Sequence, residues 1–214
     1  NLLGEGVLSA SLIPVYARLR AEERNPEAEQ VANAVLGLLA LTTSVVVLLG
    51  MLGAGPLTDL IAPGFSGEKR ELTVRLVRLL FPGAGLFVLS AWCLGILNSH
   101  RRFLLSYAAP VIWNVAIILI VIATASGRDE GGIALMAATG SVVGAALQVL
   151  VQLPTVVNVL GRIRPSLDVA SSQVRTVIRN FGPVFVGRGV VQISAYVDSV
   201  LASLLGTGAV TGLA

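Results

Sequence analysis

Apolar residues run along this chain in long unbroken blocks rather than in alternation, and the charged residues are gathered between the blocks. Four stretches contain no Asp, Glu, Lys or Arg: Val31 to Thr58, Leu79 to Ser99, Phe103 to Gly127 and Gly131 to Gly161. Each exceeds the roughly 20 residues that a helix needs to cross a hydrocarbon core about 30 Å thick. Pro63-Gly64, His100-Arg101-Arg102, Arg128-Asp129-Glu130 and Arg162-Ile163-Arg164-Pro165 mark the intervening loops. A fifth run, Phe181 to Leu205, is interrupted only by Arg188 and Asp198, and Val7 to Ala17 reads as the latter part of a helix. The pattern predicts an all-α, polytopic transmembrane helix bundle forming a single domain over 1–214. Its spans are expected at 1–17 (partial), 31–60, 73–98, 104–126, 131–160 and 173–205, with 208–214 opening a further helix. Continuous runs exclude the dyad repeat of a membrane β-barrel.

Composition agrees: 55% of residues are hydrophobic, 13% are charged and 23 are glycine, with a mean hydropathy of +0.84. Glycine-rich, aliphatic helices suit close packing in lipid. Both ends read as interior sequence, so both are expected to be truncations. Cys93 is the single cysteine and lies inside an apolar run, which excludes an internal disulfide, a redox pair or a cysteine zinc site. The net charge of +3 does not indicate nucleic acid, because the basic residues sit between spans without an aromatic-basic patch.

Loops alternate sides of a membrane. One side collects Arg18, Arg20, Arg24, Arg101, Arg102, Arg162, Arg164, Arg175 and Arg179; the other holds Lys69, Arg70, Arg75, Arg78 and Arg128. The first is the expected cytoplasmic face, although Glu22, Glu23, Glu27 and Glu29 accompany its first loop.

Ionisable groups inside a bilayer are costly and are candidates for function. Arg188 and Asp198 lie about 15 Å apart along one helix axis and on different faces, so neither pairs with the other. Arg188, Gln192, Ser199 and Ser203 form one stripe, with Ser194 and Asp198 on the next. Such a face suits a hydrated cavity in which Arg188 attracts an anion and Asp198 binds a cation or proton. The alternative is that neighbouring helices satisfy both groups. Glu5, between Gly4 and Gly6, has either a cavity role or an interfacial position. Helix-to-helix hydrogen bonding is the expected role of Asn98, Gln148 and Gln152, with Asn114 the exception because it follows Pro110. His100, beside Arg101 and Arg102, suits a solvated or headgroup-contacting loop better than a metal site. No catalytic constellation or phosphate loop exists, so no enzyme is expected.

The segment Asn1-Leu2-Leu3-Gly4-Glu5-Gly6-Val7-Leu8-Ser9-Ala10-Ser11-Leu12-Ile13-Pro14-Val15-Tyr16 resembles the second helix of the MurJ (MviN) lipid II flippase family. Ala62-Pro63-Gly64-Phe65, Phe81-Pro82, Gly95-Ile96-Leu97-Asn98-Ser99, Arg102-Phe103, Ala109-Pro110 with Asn114, Gln152-Leu153-Pro154 and Gly182-Pro183 follow in that family's order. The resemblance implies the multidrug/oligosaccharidyl-lipid/polysaccharide exporter fold, with two lobes around a central cavity, of which this chain would hold helix 2 to the start of helix 8. It implies translocation of lipid II, the undecaprenyl-linked peptidoglycan precursor, across the bacterial inner membrane by alternating access. A cation-coupled exporter of small molecules or lipid-linked polysaccharides is the alternative within that superfamily. By the same resemblance Glu5, Ser9 and Asn114 are cavity residues, and Asp198 occupies the place of a sodium-ligating aspartate. Arg188 departs from the family pattern, and the family's helix 1 and helix 8 arginines lie outside the chain. The remaining helices of the full-length protein are the expected protein partners.

Overall fold

The computed structural model describes residues 2–184, 186 and 187, the side chains of 2–7 and of Ser9 excepted. Among these residues the chain is helical, without strands: α1 (Leu2–Ala21), α2 (Asn25–Leu52), α3 (Ala54–Ile61), α4 (Gly67–Ser99), α5 (Phe103–Thr124) and α6 (Glu130–Leu160), then α7 over 172–184. Four of them, α2, α4, α5 and α6, are long and apolar enough to cross a membrane. The remainder of the last expected span, with Arg188, Gln192 and Asp198, lies outside the described residues.

Several helices extend past the charge-free runs. At 33 residues α4 is about 50 Å long, and its first turns hold Glu68, Lys69, Arg70 and Glu71. A helix need not stop where lipid does, since charged side chains are solvated once they pass the hydrocarbon boundary. The run from Val31 to Thr58, expected as one helix, is instead divided at Gly53. Pro56 has no N–H to offer the carbonyl of Leu52 and crowds it. The ladder recovers on both sides, with Gly53 N donating to Leu49 O at 2.8 Å and Leu57 N donating to Gly53 O at 2.9 Å.

Two turns at the arginine-rich end share one geometry. After α1, Arg24 N bonds Leu19 O and Glu23 N bonds Arg20 O, with Glu23 at φ 58°. After α4, Arg102 N bonds Leu97 O and Arg101 N bonds Asn98 O, with Arg101 at φ 58°. This is the Schellman termination, whose left-handed residue is usually glycine. Here charged residues occupy it.

Helix α4 packs against α1, α2 and α6, and α5 packs chiefly on α6. Small residues permit the close approaches. A Cβ on Gly144 would lie 2.8 Å from the carbonyl oxygen of Trp113, and one on Gly140 2.9 Å from the Cα of Ile117, so α5 and α6 meet backbone to backbone, as membrane helices do where small residues face each other. Gly50 likewise leaves room for the Phe81 ring. The main core joins Leu12, Tyr16 and Leu19 of α1 to Val31 of α2, Trp92 and Ile96 of α4, Val156 of α6 and Val174 of α7. Trp92 is tolerated there because its indole N–H donates to Ala32 O at 3.0 Å. Large apolar side chains on the outer face of α5, including Leu104, Val111, Ile118 and Ile122, remain exposed. That is the surface a lipid-facing helix presents.

Candidate functional site

Of the residues proposed to line a transport path, only Asn114 has a described side chain. It is exposed on α5, and its Nδ2 donates to Pro110 O at 3.0 Å. Its amide thus bonds its own helix, and no bond to another helix is described. Glu5 and Ser9 lie on the first turns of α1, where side chains are outside the described set, as are Arg188, Gln192 and Asp198 entirely. The structure therefore brings none of these side chains together.

The described residues do define an apolar cavity. A cavity of about 270 Å³ opens between α1, α2 and α7, bounded by Leu8, Val35, Leu39, Thr42, Val177 and Phe181. Among the described residues Thr42 supplies the one hydroxyl in this apolar lining. At the arginine-rich end α1 is tied to α7 by an exposed bond, Arg18 Nη2 donating to Gln173 Oε1 at 2.7 Å.

The segment between α6 and α7 is strapped across α2. Asn33 accepts from Arg164 N at 2.8 Å through Oδ1, donates through Nδ2 to Arg162 O at 3.4 Å, and accepts from Ser166 N through its backbone carbonyl at 3.2 Å. One asparagine thereby satisfies both a donor and an acceptor of an irregular backbone, as a neighbouring strand would. Gln30, about one helical turn earlier, donates to Asp168 Oδ2 at 2.8 Å. Ala170 N–H also donates to Asp168, and these bonds hold its carboxyl below the usual range. Gly37 completes the crossing, because any Cβ there would collide with Ser166 O.

A second polar contact lies in the bundle interior. Ser90 Oγ donates to Gln152 Oε1 at 3.0 Å and accepts from Gln148 Nε2 at 2.7 Å, joining α4 to α6. The two glutamines are 1% and 0% exposed, which meets the expectation that they bond between helices. Gln148 Oε1 and Gln152 Nε2 remain without a protein partner.

At the arginine-rich end the Tyr16 hydroxyl and His100 Nε2 are 2.8 Å apart, joining α1 to the α4–α5 turn. Partial burial, and then the charges of Arg20 and Arg102, push the His100 pKa below its ordinary value. His100 is thus a packed, bonded ring rather than a freely solvated one. Arg24 is engaged by Glu27 at 2.6 Å and Glu22 at 2.9 Å. At the opposite end Arg70 joins Asp59 of α3 through two bonds of 2.5 and 2.8 Å. The sequence led to the expectation that Gln148 and Gln152 bond between helices; nothing local in it singled out Ser90 as their partner, or the contacts of Asn33 and Tyr16.

The match to known proteins extends over the whole chain. The family model described as "MurJ: Lipid II flippase MurJ" matches residues 1–214. A probable lipid II flippase MurJ of Buchnera aphidicola is 26% identical over 213 residues, covering 99% of this chain and 41% of the relative. One from Bdellovibrio bacteriovorus is 32% identical over 218 residues, covering 99% and 41%. A solved structure titled "Lipid II flippase MurJ, inward closed conformation" superposes with a TM-score of 0.79 at 22% identity, covering 99% of this chain and 43% of that one. The chain thus spans about two fifths of the length of the relatives it matches. With its apolar spans this makes it a multi-pass membrane protein of exporter-type fold, and the chain belongs to the lipid II flippase MurJ family.

Proposed function

We propose that this chain is part of a lipid II flippase of the bacterial inner membrane, which carries undecaprenyl-linked peptidoglycan precursor to the outer leaflet and so serves cell-wall growth and cell shape. The observation that carries the reading is the family match over residues 1–214, supported by the shared fold. The physical requirement fits. A pyrophosphate-linked sugar does not cross hydrocarbon unaided, so a path for it needs polar groups held inside a bundle whose outside is apolar. In this reading Glu5, Ser9, Asn114, Arg188 and Gln192 face the headgroup path, Arg188 supplying positive charge to the diphosphate. Asp198 is the cation-coupling group, with sodium as the candidate ion. The protein moves its substrate without making or breaking covalent bonds.

The test is complementation. The full-length protein should restore growth and outer-leaflet lipid II in a strain depleted of its own flippase, and Arg188→Ala should lose that rescue while still reaching the membrane. Asp198→Asn should abolish any sodium dependence of the transport. Normal lipid II delivery by both variants would remove the proposed roles of these residues, and failure of the wild-type protein to restore delivery would remove the flippase reading.

A further inference from the structure

We propose that Arg20, His100 and Arg102 form a binding site for the headgroup phosphate of an anionic phospholipid, in the leaflet at the arginine-rich end of the bundle. The site is separate from the transport path and does not depend on what the path carries.

Arg20 of α1 and Arg102 of the α4–α5 turn both act by their charge on the His100 ring. Arg20 lies one helical turn beyond Tyr16 on α1, the Tyr16 hydroxyl holds His100 Nε2 at 2.8 Å, and Arg102 follows in the same turn. Tyr16 is 1% exposed, so the ring of His100 is fixed against a rigid wall, while Arg20, Arg101 and Arg102 are exposed to an approaching ligand. Two of the neighbouring carboxylates are already engaged, while Glu23 makes no described ion pair. Glu22 and Glu27 bond Arg24, and Glu22 also lies 3.8 Å from Arg18. Glu29, which acts on Tyr16 from α2, makes no described ion pair with Arg20 or Arg102. The described partner of Arg20 is neutral, the Asn25 Oδ1 at 2.5 Å. The charges that act on the His100 ring are those of Arg20 and Arg102, and a phosphate relieves their repulsion with charge-assisted hydrogen bonds.

A lipid suits the site better than a free anion. The chain passes from Arg102 directly into α5, where Phe103, Leu104 and Tyr107 are 50%, 86% and 77% exposed. These side chains offer a phospholipid an apolar surface for its chains below a basic site for its headgroup. Basic pockets between membrane helices at this level are where anionic headgroups bind. The tyrosine hydroxyl suits a ligand that changes the charge on the ring, since it donates to neutral His100 and accepts from the imidazolium.

The experiment uses the full-length protein extracted from bilayers containing phosphatidylglycerol, with retained lipid counted by native mass spectrometry. Arg20→Gln and Arg102→Gln should each lower phosphatidylglycerol retention about five-fold, and the double variant should lower it further. Arg164→Gln, an exposed arginine at the same end, should leave retention unchanged. Unaltered retention in the double variant overturns the site, and an equal loss in Arg164→Gln shows only general attraction to a negative surface. A second readout needs no variant: the ring nitrogens of His100, followed by NMR, should titrate at higher pH in phosphatidylglycerol nanodiscs than in phosphatidylcholine ones. An equal rise when inorganic phosphate is added to phosphatidylcholine nanodiscs would overturn the choice of a lipid.

Discussion

Gly37 and His100 show how single residues set the arginine-rich end. Gly37 allows the strap between α6 and α7 to touch α2, and Ser166 O occupies the place a Cβ would need. Gly37→Ala should therefore push the strap away and weaken its bonds to Asn33, costing about 1–3 kcal/mol in the manner of other overpacked sites. Thermal denaturation in detergent, with limited proteolysis of the strap, measures both effects. His100 predicts a pH dependence. Its pKa is lowered in the folded protein, first by burial and then by Arg20 and Arg102, so on acidification the unfolded chain takes up a proton before the folded one does. Stability should fall as pH drops below the ordinary histidine value near 6.5 and level off below the folded pKa. In a neutral detergent, denaturation between pH 7.5 and 5.5 (~2 units about that value) should show this slope, and His100→Gln should flatten it.

Helix pairs are held by two different devices, and each predicts its own sensitivity. Between α4 and α6 the bond is polar. The Ser90 hydroxyl serves two buried glutamines, so Ser90→Ala leaves further amide groups unpaired at about 1–3 kcal/mol. Ser106→Ala should cost far less, because the Ser106 hydroxyl reaches only Arg102 O in its own helix region, at 3.5 Å. Comparing the two melting temperatures tests the distinction. Between α5 and α6 the device is absence of bulk. Gly144→Leu would have to displace the Trp113 backbone, 2.8 Å from the first added carbon, and should separate the helices or prevent insertion. Expression of folded protein, followed by size-exclusion chromatography, reads the outcome.

At the scale of the molecule, the chain covers 99% of its own length but only 43% of the solved relative it superposes on. If the proposed flippase cavity is shared with helices outside residues 1–214, this segment expressed alone should insert without transporting, whereas co-expression with those helices should restore lipid II delivery. Outer-leaflet lipid II measured in both strains decides this. The arginine-rich strap also has a molecular consequence. It ties α7 to α2 through Asn33 and Gln30, so Asn33→Ala should loosen how α7 is held even though Asn33 lies outside the proposed path. Protease sensitivity of the strap in the full-length protein would reveal that loosening.

The sequence by itself determined the solvent and the class of fold. Water rejects blocks such as Val31 to Thr58, and a bilayer accepts them only as helices with their backbone bonds closed internally. Ordered motifs from Glu5 to Pro183 also made the family legible. Only tertiary structure decided the joining of Ser90 to two glutamines, the strap at Asn33 and the pairing of Tyr16 with His100. These depend on which residues far apart in the chain come within hydrogen-bonding reach. Periodicity assigns a face to each helix, but the partner on that face is set by the packing of whole helices.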